Sequence, residues 1–423
     1  HPDGIAPLDP RELLARLQAL GPARRWWVAL SGGTDSTALL HACTSLRDAL
    51  DAPLAAVHVN HGLYPDADAW QARVVSLCER LDVPLECQRV HVDRGAGGGP
   101  EARARDARYA AFEGLLDKDE VLLLAHHADD QAETVLLHLL RGSGVDGLAG
   151  MPETRPLGAG RLARPLLGVR RAALEAYLRV HEMGWIEDPA NDDRRMDRNW
   201  LRGELLPLLE ARFPGAAARL ARSARHCREA SDALDALAGD VLPGSTQPPV
   251  LDLERLKEAR LPAALVLRTW LRRAHAPPIP EARLDEFLRQ LAEAGPGKPL
   301  QVHWSGWQLG RHRDALWLHP AQPACPERQS ERWEAGPPRA GERILVAGRG
   351  HRVISRLLQD RGVPPWLRPA VPVLRHDGHA LAVGGAVFDP EHAERVGQAP
   401  ASLAWRPDSA ALREVRRRLQ ARG

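Results

Sequence analysis

The sequence is poor in cysteine, in lysine and in long apolar runs. Its five cysteines in 423 residues form no CxxC pair, which argues against a disulfide framework or a cysteine-bound cluster and for a reducing, cytoplasmic setting. No run approaches the ~18 consecutive apolar residues of a membrane span. No basic-then-apolar signal segment opens the chain, so neither membrane insertion nor secretion is expected. Lysine occurs at only three positions, so nearly all positive charge lies on arginine.

The charge is unevenly distributed along the chain. The formal net charge is +2, but residues 339–423 contain 15 arginines and 8 acidic residues. The remainder contains 42 basic and 47 acidic residues. A basic terminal segment on an acidic body favours a polyanionic partner, and an ordinary solvated surface is the alternative.

The first half of the chain alternates short apolar runs with helical patterns. The apolar runs lie at 26–30, 55–60, 85–92 and 121–125 and recur roughly every thirty residues. This spacing is typical of βαβ units. We therefore predict an α/β fold with a parallel, Rossmann-like sheet. The predicted helices lie at 36–50, 68–81, 101–116, 131–140 and 170–183.

The second half predicts a mostly helical middle domain and a small α/β C-terminal domain. Helical patterns occupy 216–237, 253–274 and 280–294, and a hairpin is expected over 300–307 and 308–318. Residues 320–341 hold several prolines and few apolar residues, which predicts a linker. The predicted divisions are a catalytic domain at 1–215, a middle domain at 216–320, a linker at 321–341 and a C-terminal domain at 342–423.

The strongest motif lies between the first predicted strand and the helix that follows it. It consists of Ser31, Gly32, Gly33, Thr34, Asp35 and Ser36. Glycines let the backbone approach a phosphate, and a helix N-terminus directs N–H groups at it. The alternative is a capped turn without a ligand. No GKS or GKT follows, which excludes a Walker A loop. Asp35 would cap the helix or orient a magnesium ion.

Further motifs lie at or near the ends of the other predicted strands. They are HVNHGL at 58–63, EARARDARY at 101–109 and HHADDQAET at 126–134. Shorter ones follow at 141–144, 164–167, 185–191, 197–202 and 357–368. The 31–36 motif resembles the pyrophosphate loop of the ATP-pyrophosphatase superfamily. Together the motifs resemble the tRNA(Ile)-lysidine synthetase family over nearly the whole chain, least at about 240–335.

The resemblance implies a reaction and its partners. ATP, with magnesium, would adenylate the C2 oxygen of the wobble cytidine in an isoleucine tRNA with a CAU anticodon. The ε-amine of free L-lysine would then attack C2 and expel AMP, giving lysidine, which pairs with A instead of G. The reaction needs ATP, a flipped cytidine and lysine held together, so proximity is much of the catalysis. No membrane partner is expected, and a homodimer stays open.

Carboxylates at the start of the 131–140 helix are candidate lysine ligands. Asp130 and Glu133 are three residues apart and share one helix side, and the resemblance implies that they bind lysine. Without it, an acidic first turn that stabilises the helix would be preferred. Asp129 would cap the helix or contact magnesium alongside Asp35. His61 would shape the nucleotide pocket or be a structural histidine at a strand end.

Arginines in two motifs are candidate phosphate ligands. Arg105 and Arg108 share one helix face, and the resemblance implies that one of them, Arg108 before Arg105, meets ATP or the tRNA backbone. The alternative is an exposed basic face. The resemblance also places Arg198, Asn199 and Arg202 close to the active site, where a basic pair would stabilise tRNA or pyrophosphate.

The C-terminal arginines are candidate tRNA contacts. Residues 343–375 contain seven arginines and one acid, Asp360, and the resemblance implies that this region grips tRNA outside the anticodon. Phosphate contacts supply affinity and register, not base identity. The predicted contacts are Arg343, Arg349, Arg352, Arg356, Arg361 and Arg368.

Two other functions stay open from the sequence. One is another pyrophosphate-loop enzyme, such as a tRNA cytidine thiolase, which would want a cysteine pair that the chain does not offer. The other is a non-catalytic tRNA-binding protein, against which the intact 31–36 motif with Asp130 and Glu133 argues.

Overall fold

A computed structural model describes the protein. The described residues are 6–62, 66–91, 100–186, 196–242, 250–295, 297–321, 325, 327–330, 332–407 and 409–421. They fall into two compact units, His1–Asp232 and Ala233–Gly423. Within the described ranges, no helix is long and apolar enough to cross a membrane. The finer domain division stays a prediction.

A six-stranded sheet forms the centre of the first unit. Its strands are β1 Arg25–Ala29, β2 Leu54–Asn60, β3 Leu85–Arg89, β4 Glu120–Leu123, β5 Thr154–Leu157 and β6 Gly160–Ala163. The order is β3-β2-β1-β4-β6-β5, and all neighbours are parallel except the antiparallel β5–β6 pair. The predicted parallel α/β sheet is confirmed, and the β5–β6 hairpin is an addition that the apolar runs did not predict.

Helices cover both faces of this sheet. The helices that begin in this unit are α1 Pro10–Ala19, α2 Thr34–Ser45, α3 Ala67–Arg80, α4 Pro100–Leu115, α5 Ala128–Leu140, α6 Val145–Leu148, α7 Arg171–Val180, α8 Asp197–Trp200, α9 Leu206–Arg212 and α10 Ala216–Gly239, the last of which continues past Asp232. Side chains alternate along β1: Trp26 and Val28 pack with α1, α2, α3 and α7, whereas Trp27 packs with α4. The helices α2 and α4 therefore lie on opposite faces.

The second unit begins with a four-stranded antiparallel sheet and helices. The elements are β7 Val250–Asp252, α11 Leu253–Glu258, α12 Ala263–Arg273, α13 Glu281–Glu293, β8 Leu300–Trp304, β9 Trp307–His312 and β10 Ala315–Pro320. The strand order is β7-β10-β9-β8. The predicted hairpin is instead a three-stranded meander, because Ser305, Gly306 and Arg313 adopt positive φ and form two turns. The helical stretch 253–274 is divided in two just before Pro262.

The rest of the second unit contains a five-stranded antiparallel sheet and a separate hairpin. The elements are β11 Arg328–Ser330, β12 Trp333–Gly336, β13 Arg343–Val346, β14 Gly350–Val353, α14 Ile354–Asp360, β15 Val373–His376, β16 His379–Val383, β17 Val387–Phe388, α15 Ala393–Val396 and α16 Ala410–Gln420. The sheet order is β11-β12-β15-β16-β17, and β13 pairs with β14.

The expectation of a linker at 321–341 is corrected by this sheet. Strands β11 and β12 lie within that range, and β12 pairs with β15, placing Glu334 opposite Arg375. Arg375 is fully buried and bonds to Glu334 at 3.1 Å and to Glu342 at 2.5 and 2.7 Å. Glu334 of this stretch and Glu342 just after it pair with the buried Arg375. The sequence therefore looked too polar for the strands that the sheet contains.

Candidate active site

The 31–36 motif forms a tight loop between β1 and α2. Gly32 has φ +87°, and a Cβ there would lie 2.6 Å from Cδ1 of Ile186. The amide of Ile186 donates to the carbonyl of Gly32 at 2.8 Å. A side chain at position 32 would be strained by the positive φ and would clash with Ile186. Ile186 therefore packs directly on the loop.

Hydroxyl groups brace this loop from within. Oγ of Ser31 and Oγ of Ser36 are 3.0 Å apart, and Ser36 also donates to the carbonyl of Gly33 at 3.2 Å. Gly33 is the N-cap of α2, and no side chain caps that helix. Because Thr34 begins the helix, the N–H groups of its first turn remain for an anion, as the motif predicted.

Asp35 lies in the first turn of α2 with one oxygen unsatisfied. Its Oδ2 lies 3.5 Å from Nε2 of His127, whereas the buried Oδ1 has no hydrogen-bond partner among the described residues. Burial alone would raise the pKa of Asp35, but the hydrogen bond and charge of His127, with Arg171 and Arg202, outweigh burial and lower it. An ionised carboxylate with a free oxygen fits a cation such as magnesium, with nucleotide phosphates as the other ligands.

His127 connects the loop to α5. It is the N-cap of α5 and is 1% exposed. In the capping box, its Nδ1 accepts from the amide of Asp130 at 3.4 Å and its own amide donates to Oδ2 of Asp130 at 3.0 Å. Burial alone would lower the pKa of His127, but Asp35, Asp130 and Asp129 outweigh it and raise it. The capping box also explains why α5 begins at Ala128, earlier than predicted.

Asp129 is engaged by arginines rather than left open for magnesium. Its two oxygens accept from Nε of Arg170 at 3.2 and 3.3 Å, and Oδ2 accepts from the amide of Arg171 at 2.9 Å. Asp129 also does not cap α5, since His127 does. No group of three or more His, Cys, Asp or Glu side chains that could hold a metal occurs in the described part of the chain. The donors therefore fit magnesium at Asp35 and not at Asp129, which corrects that expectation.

Asp130 and Glu133 meet Arg202. Nε of Arg202 lies 2.7 Å from Oε1 of Glu133, and its Nη2 lies 3.0 Å from Oδ1 of Asp130. Glu133 is 1% exposed, and burial raises its pKa although Arg202 opposes the shift. Arg202 belongs to a π-helical turn, Leu201–Leu205, a conformation frequent at functional sites. The structure thus brings three predicted site residues together, with one internal cation bonded to both carboxylates.

Other predicted residues lie near this cluster or next to it. Arg198 is exposed on α8, and its charge acts on Glu133. Asn199 is half-buried on the same helix, and His61 is half-buried just after β2. Their roles stay predictions. Residue 63, most of the 185–191 motif and the side chains of residues 101 and 102 lie outside the described residues.

Arg105 and Arg108 lie beside two arginines that sequence reasoning did not assign to the site. Arg155 on β5 and Arg105 lie over the ring of Tyr109, at 5.0 and 5.5 Å from its centroid. Arg164, 4% exposed, follows β6. The β5–β6 hairpin supplies both added arginines, and no apolar run marked it. The only available signal was the RPLL sequence at 164–167.

The six predicted C-terminal arginines divide into two groups. Four are exposed: Arg343, Arg349, Arg352 and Arg356. Arg361 is 6% exposed and donates to the carbonyl of Leu419 at 2.6 Å, and half-buried Arg368 donates to the carbonyl of Val363 at 3.1 Å. Arg361 is therefore held inside the fold, which corrects its assignment as a tRNA contact, whereas the assignment of Arg368 stays a prediction.

Comparison with known families gives three matches along the chain. The PP-loop domain matches residues 10–209, the TilS substrate binding domain matches 250–317, and the TilS substrate C-terminal domain matches 334–405. The last match begins inside the stretch predicted as a linker. Among solved structures, a U34-tRNA thiolase, NcsA from Methanococcus maripaludis with its [4Fe-4S] cluster, matches at TM-score 0.43 and 19% identity over 52% of this chain and 78% of that chain.

Full-length relatives carry one name. A tRNA(Ile)-lysidine synthase of Alkalilimnicola ehrlichii is 42% identical over 417 residues, 89% of this chain and 93% of the relative. That of Pseudomonas aeruginosa is 42% identical over 411 residues, 87% and 91% of the two chains. That of Xanthomonas axonopodis pv. citri is 38% identical over 410 residues, 90% and 93%. The chain therefore belongs to the tRNA(Ile)-lysidine synthase family.

Proposed function

We propose that this chain ligates free L-lysine to C2 of the wobble cytidine of an isoleucine tRNA with a CAU anticodon, using ATP to activate the cytidine. Membership of the family supports this activity. The observation that carries it is the contact of His127 with Asp35 of the loop and with Asp130 of the carboxylate pair. That contact joins a nucleotide-phosphate site to a site for a cationic substrate.

The loop serves the first step. The N–H groups at the start of α2 would bind the pyrophosphate part of ATP, while the C2 oxygen of cytidine forms a bond to the α-phosphorus and the bond to pyrophosphate breaks. Asp35 would hold magnesium through its unsatisfied oxygen. When bound, that ion would neutralise phosphate charge.

The carboxylate pair serves the second step. Asp130 and Glu133 would bind the ε-ammonium of lysine, which requires Arg202 to leave at least one of them, since it now spans both. Glu133, with its raised pKa, would take the proton from the ammonium. The amine then attacks C2, and the bond between C2 and the AMP oxygen breaks.

The test is a transfer assay with radiolabelled lysine, ATP and the isoleucine tRNA. We expect label on RNA only when ATP is present, with one AMP released per lysine attached. A methionine tRNA with the same anticodon is the matched control. tRNA binding without label on RNA would favour a non-catalytic binding protein. Sulfur incorporation from a sulfide donor would favour a thiolase.

We infer that the four exposed C-terminal arginines contact tRNA phosphates. Their exposure on and around the β13–β14 hairpin supports this role, because a guanidinium in solvent can release phosphate counterions on binding. The homodimer remains a proposal for light scattering on the purified chain, with and without tRNA.

A further inference from the structure

A second cluster of charge lies next to the active site. Four arginines form it, and we call them the arginine cluster: Arg105 and Arg108 on α4, Arg155 on β5 and Arg164 after β6. Arg105 and Arg155 lie over the ring of Tyr109, Arg164 donates to His126, and the charges of Arg105 and Arg108 also act on His126. None of the four forms a salt bridge with a carboxylate of any described residue. Arg105 and Arg108 are exposed, Arg155 is half-buried and Arg164 is buried, and their combined charge makes this place attractive to an anion.

Tyr109 and His126 both respond to this excess of positive charge. Desolvation, then Arg164, Arg108 and Arg105, lower the pKa of His126 to about 3. Burial alone would raise the pKa of Tyr109, but the neighbouring arginines outweigh burial and lower it. An imidazole kept neutral and a phenol made more acidic both indicate a positive local potential.

Contacts hold the guanidinium groups in place without neutralising them. Arg105 and Arg155 both lie over the ring of Tyr109. Arg164 donates to Nδ1 of His126 at 3.3 Å and to the carbonyl of Pro152 at 2.8 Å. Ring and carbonyl contacts restrict rotamers and leave the charge free.

The arginine cluster is distinct from the phosphate-binding loop. His126 and His127 are consecutive, yet His127 contacts Asp35 of the loop whereas His126 contacts Arg164. The helix α4, which carries two members of the cluster, lies on the opposite sheet face from α2, which begins at the loop. An anion bound at the loop therefore does not occupy the arginine cluster, which can bind a second anion.

We propose that the arginine cluster binds a backbone phosphodiester of the RNA substrate beside the reacting nucleotide, and that Tyr109 positions Arg105 and Arg155 for it. The inference rests on the proposed function, because it takes RNA as the substrate. Forked guanidinium donors match the oxygens of a phosphodiester. The other phosphate source is ATP, and the test separates the two.

The test is Arg155→Ala, since Arg155 is half-buried and not deep in the core. We expect the Kd for isoleucine tRNA to rise about tenfold, and the slope of log Kd against log salt to fall by about one. The Kd for ATP should stay unchanged. Arg155→Lys should restore the slope but only part of the affinity. The matched control is Arg80→Ala, an exposed arginine at the end of α3.

Tyr109 provides the second variant. Tyr109→Ala should weaken tRNA binding like Arg155→Ala and add little in the double variant, whereas Tyr109→Phe, which keeps the ring, should lose less. A rise in the ATP Kd with unchanged tRNA binding would assign the cluster to ATP and overturn the proposal. Unchanged binding of both would overturn it too. Failure of the wild-type chain to transfer lysine refutes the proposed function and leaves these binding results separate.

Discussion

Around His127 two of the three nearby aspartates are hydrogen-bonded to arginines, whereas the arginines around His126 have no carboxylate partner among the described residues. Asp129 is held by Arg170, and Asp130 by Arg202, close to His127. Around His126, the arginine cluster has no carboxylate partner among the described residues. Adjacent positions in the sequence thus face opposite electrostatic environments. The difference teaches that the availability of a charge for a ligand follows from its pairing and not from the number of charges nearby.

The largest expected effect is on the His127 side, at Asp35. Asp35→Ala should reduce AMP formation by on the order of a hundredfold or more, because the free oxygen and charge at the loop are lost. tRNA binding should persist, since the arginine cluster is intact. Asp35→Asn is the control that keeps the shape. AMP release and tRNA binding are measured on the same variant. An equal fall in both would contradict separate sites for the nucleotide and for tRNA.

Next in size is the lysine requirement. Asp130→Ala and, less so, Glu133→Ala should raise the lysine KM by roughly ten- to hundredfold, the value of a charge-assisted contact. Glu133→Ala should also lower stability by about 1.5 kcal/mol, because Arg202 loses one charged hydrogen-bond partner but keeps Asp130 and is partly solvated. Steady-state kinetics and urea unfolding measure the two effects. An unchanged KM in both variants would refute lysine binding by the pair.

The next prediction concerns Arg202, which occupies the carboxylate pair that we propose for lysine. If it is an internal cation that lysine must displace, Arg202→Ala should bind lysine more tightly, by about tenfold, in calorimetry without tRNA. The turnover number should fall, because the guanidinium is also lost from the site. Weaker lysine binding would mean that Arg202 shapes the lysine site and does not compete for it. Arg179→Ala, at an exposed pair with Glu175, is the control.

A smaller effect extends the comparison to the C-terminal arginines. Arg352→Ala removes an exposed guanidinium and should raise the tRNA Kd a few-fold with a smaller salt slope, leaving the melting temperature unchanged. Arg361→Ala removes a buried guanidinium bonded to the carbonyl of Leu419 and should lower the melting temperature. Salt titration and thermal unfolding of both variants test this; identical behaviour would contradict it.

The smallest expected effect is on the free energy of unfolding as the pH changes. The folded state keeps His126 neutral down to about pH 3, so the unfolded chain binds more protons below its ordinary pKa of about 6.5. Stability should therefore fall as pH drops from about 6.5 towards 3, and His126→Asn should lessen that fall. His127, with its raised pKa, acts oppositely: its contribution is present below about pH 6.5 and is lost as pH rises through its folded value. Urea midpoints at about pH 5 and 8 measure both.

Local patterns predicted the parts of the site that are local in the chain. The loop at 31–36 and the spacing of Asp130 and Glu133 needed no tertiary information. The pairing of these carboxylates with Arg202 did, because the partner lies 69 residues beyond Glu133. Arg155 was missed for a related reason, since its hairpin has too few apolar residues to show a period.

Burial of charge was the other source of error. Arginine is almost never fully buried unless paired, so sequence reasoning listed Arg361 among the tRNA contacts and counted Arg375 in the basic region at 343–375. The structure buries both. The carboxylates that pair with Arg375 are Glu334, inside the predicted linker at 321–341, and Glu342, just after it. The prolines and the few apolar residues of that stretch made it resemble a linker.

The contact of Ile186 with Gly32 affects the order in which the protein can be assembled during translation. The residue that packs on the loop is synthesised about 150 residues after the loop. At roughly 5–20 residues per second, a nascent chain carries the nucleotide motif for about 8 to 30 seconds before its closing residue exists. Strand β1, which leads into the loop, also waits for β4, its second neighbour in the sheet. The nucleotide site is therefore completed late in the synthesis of its unit, and Leu201, Leu206 and Ala217, which pack with α5, are synthesised later still.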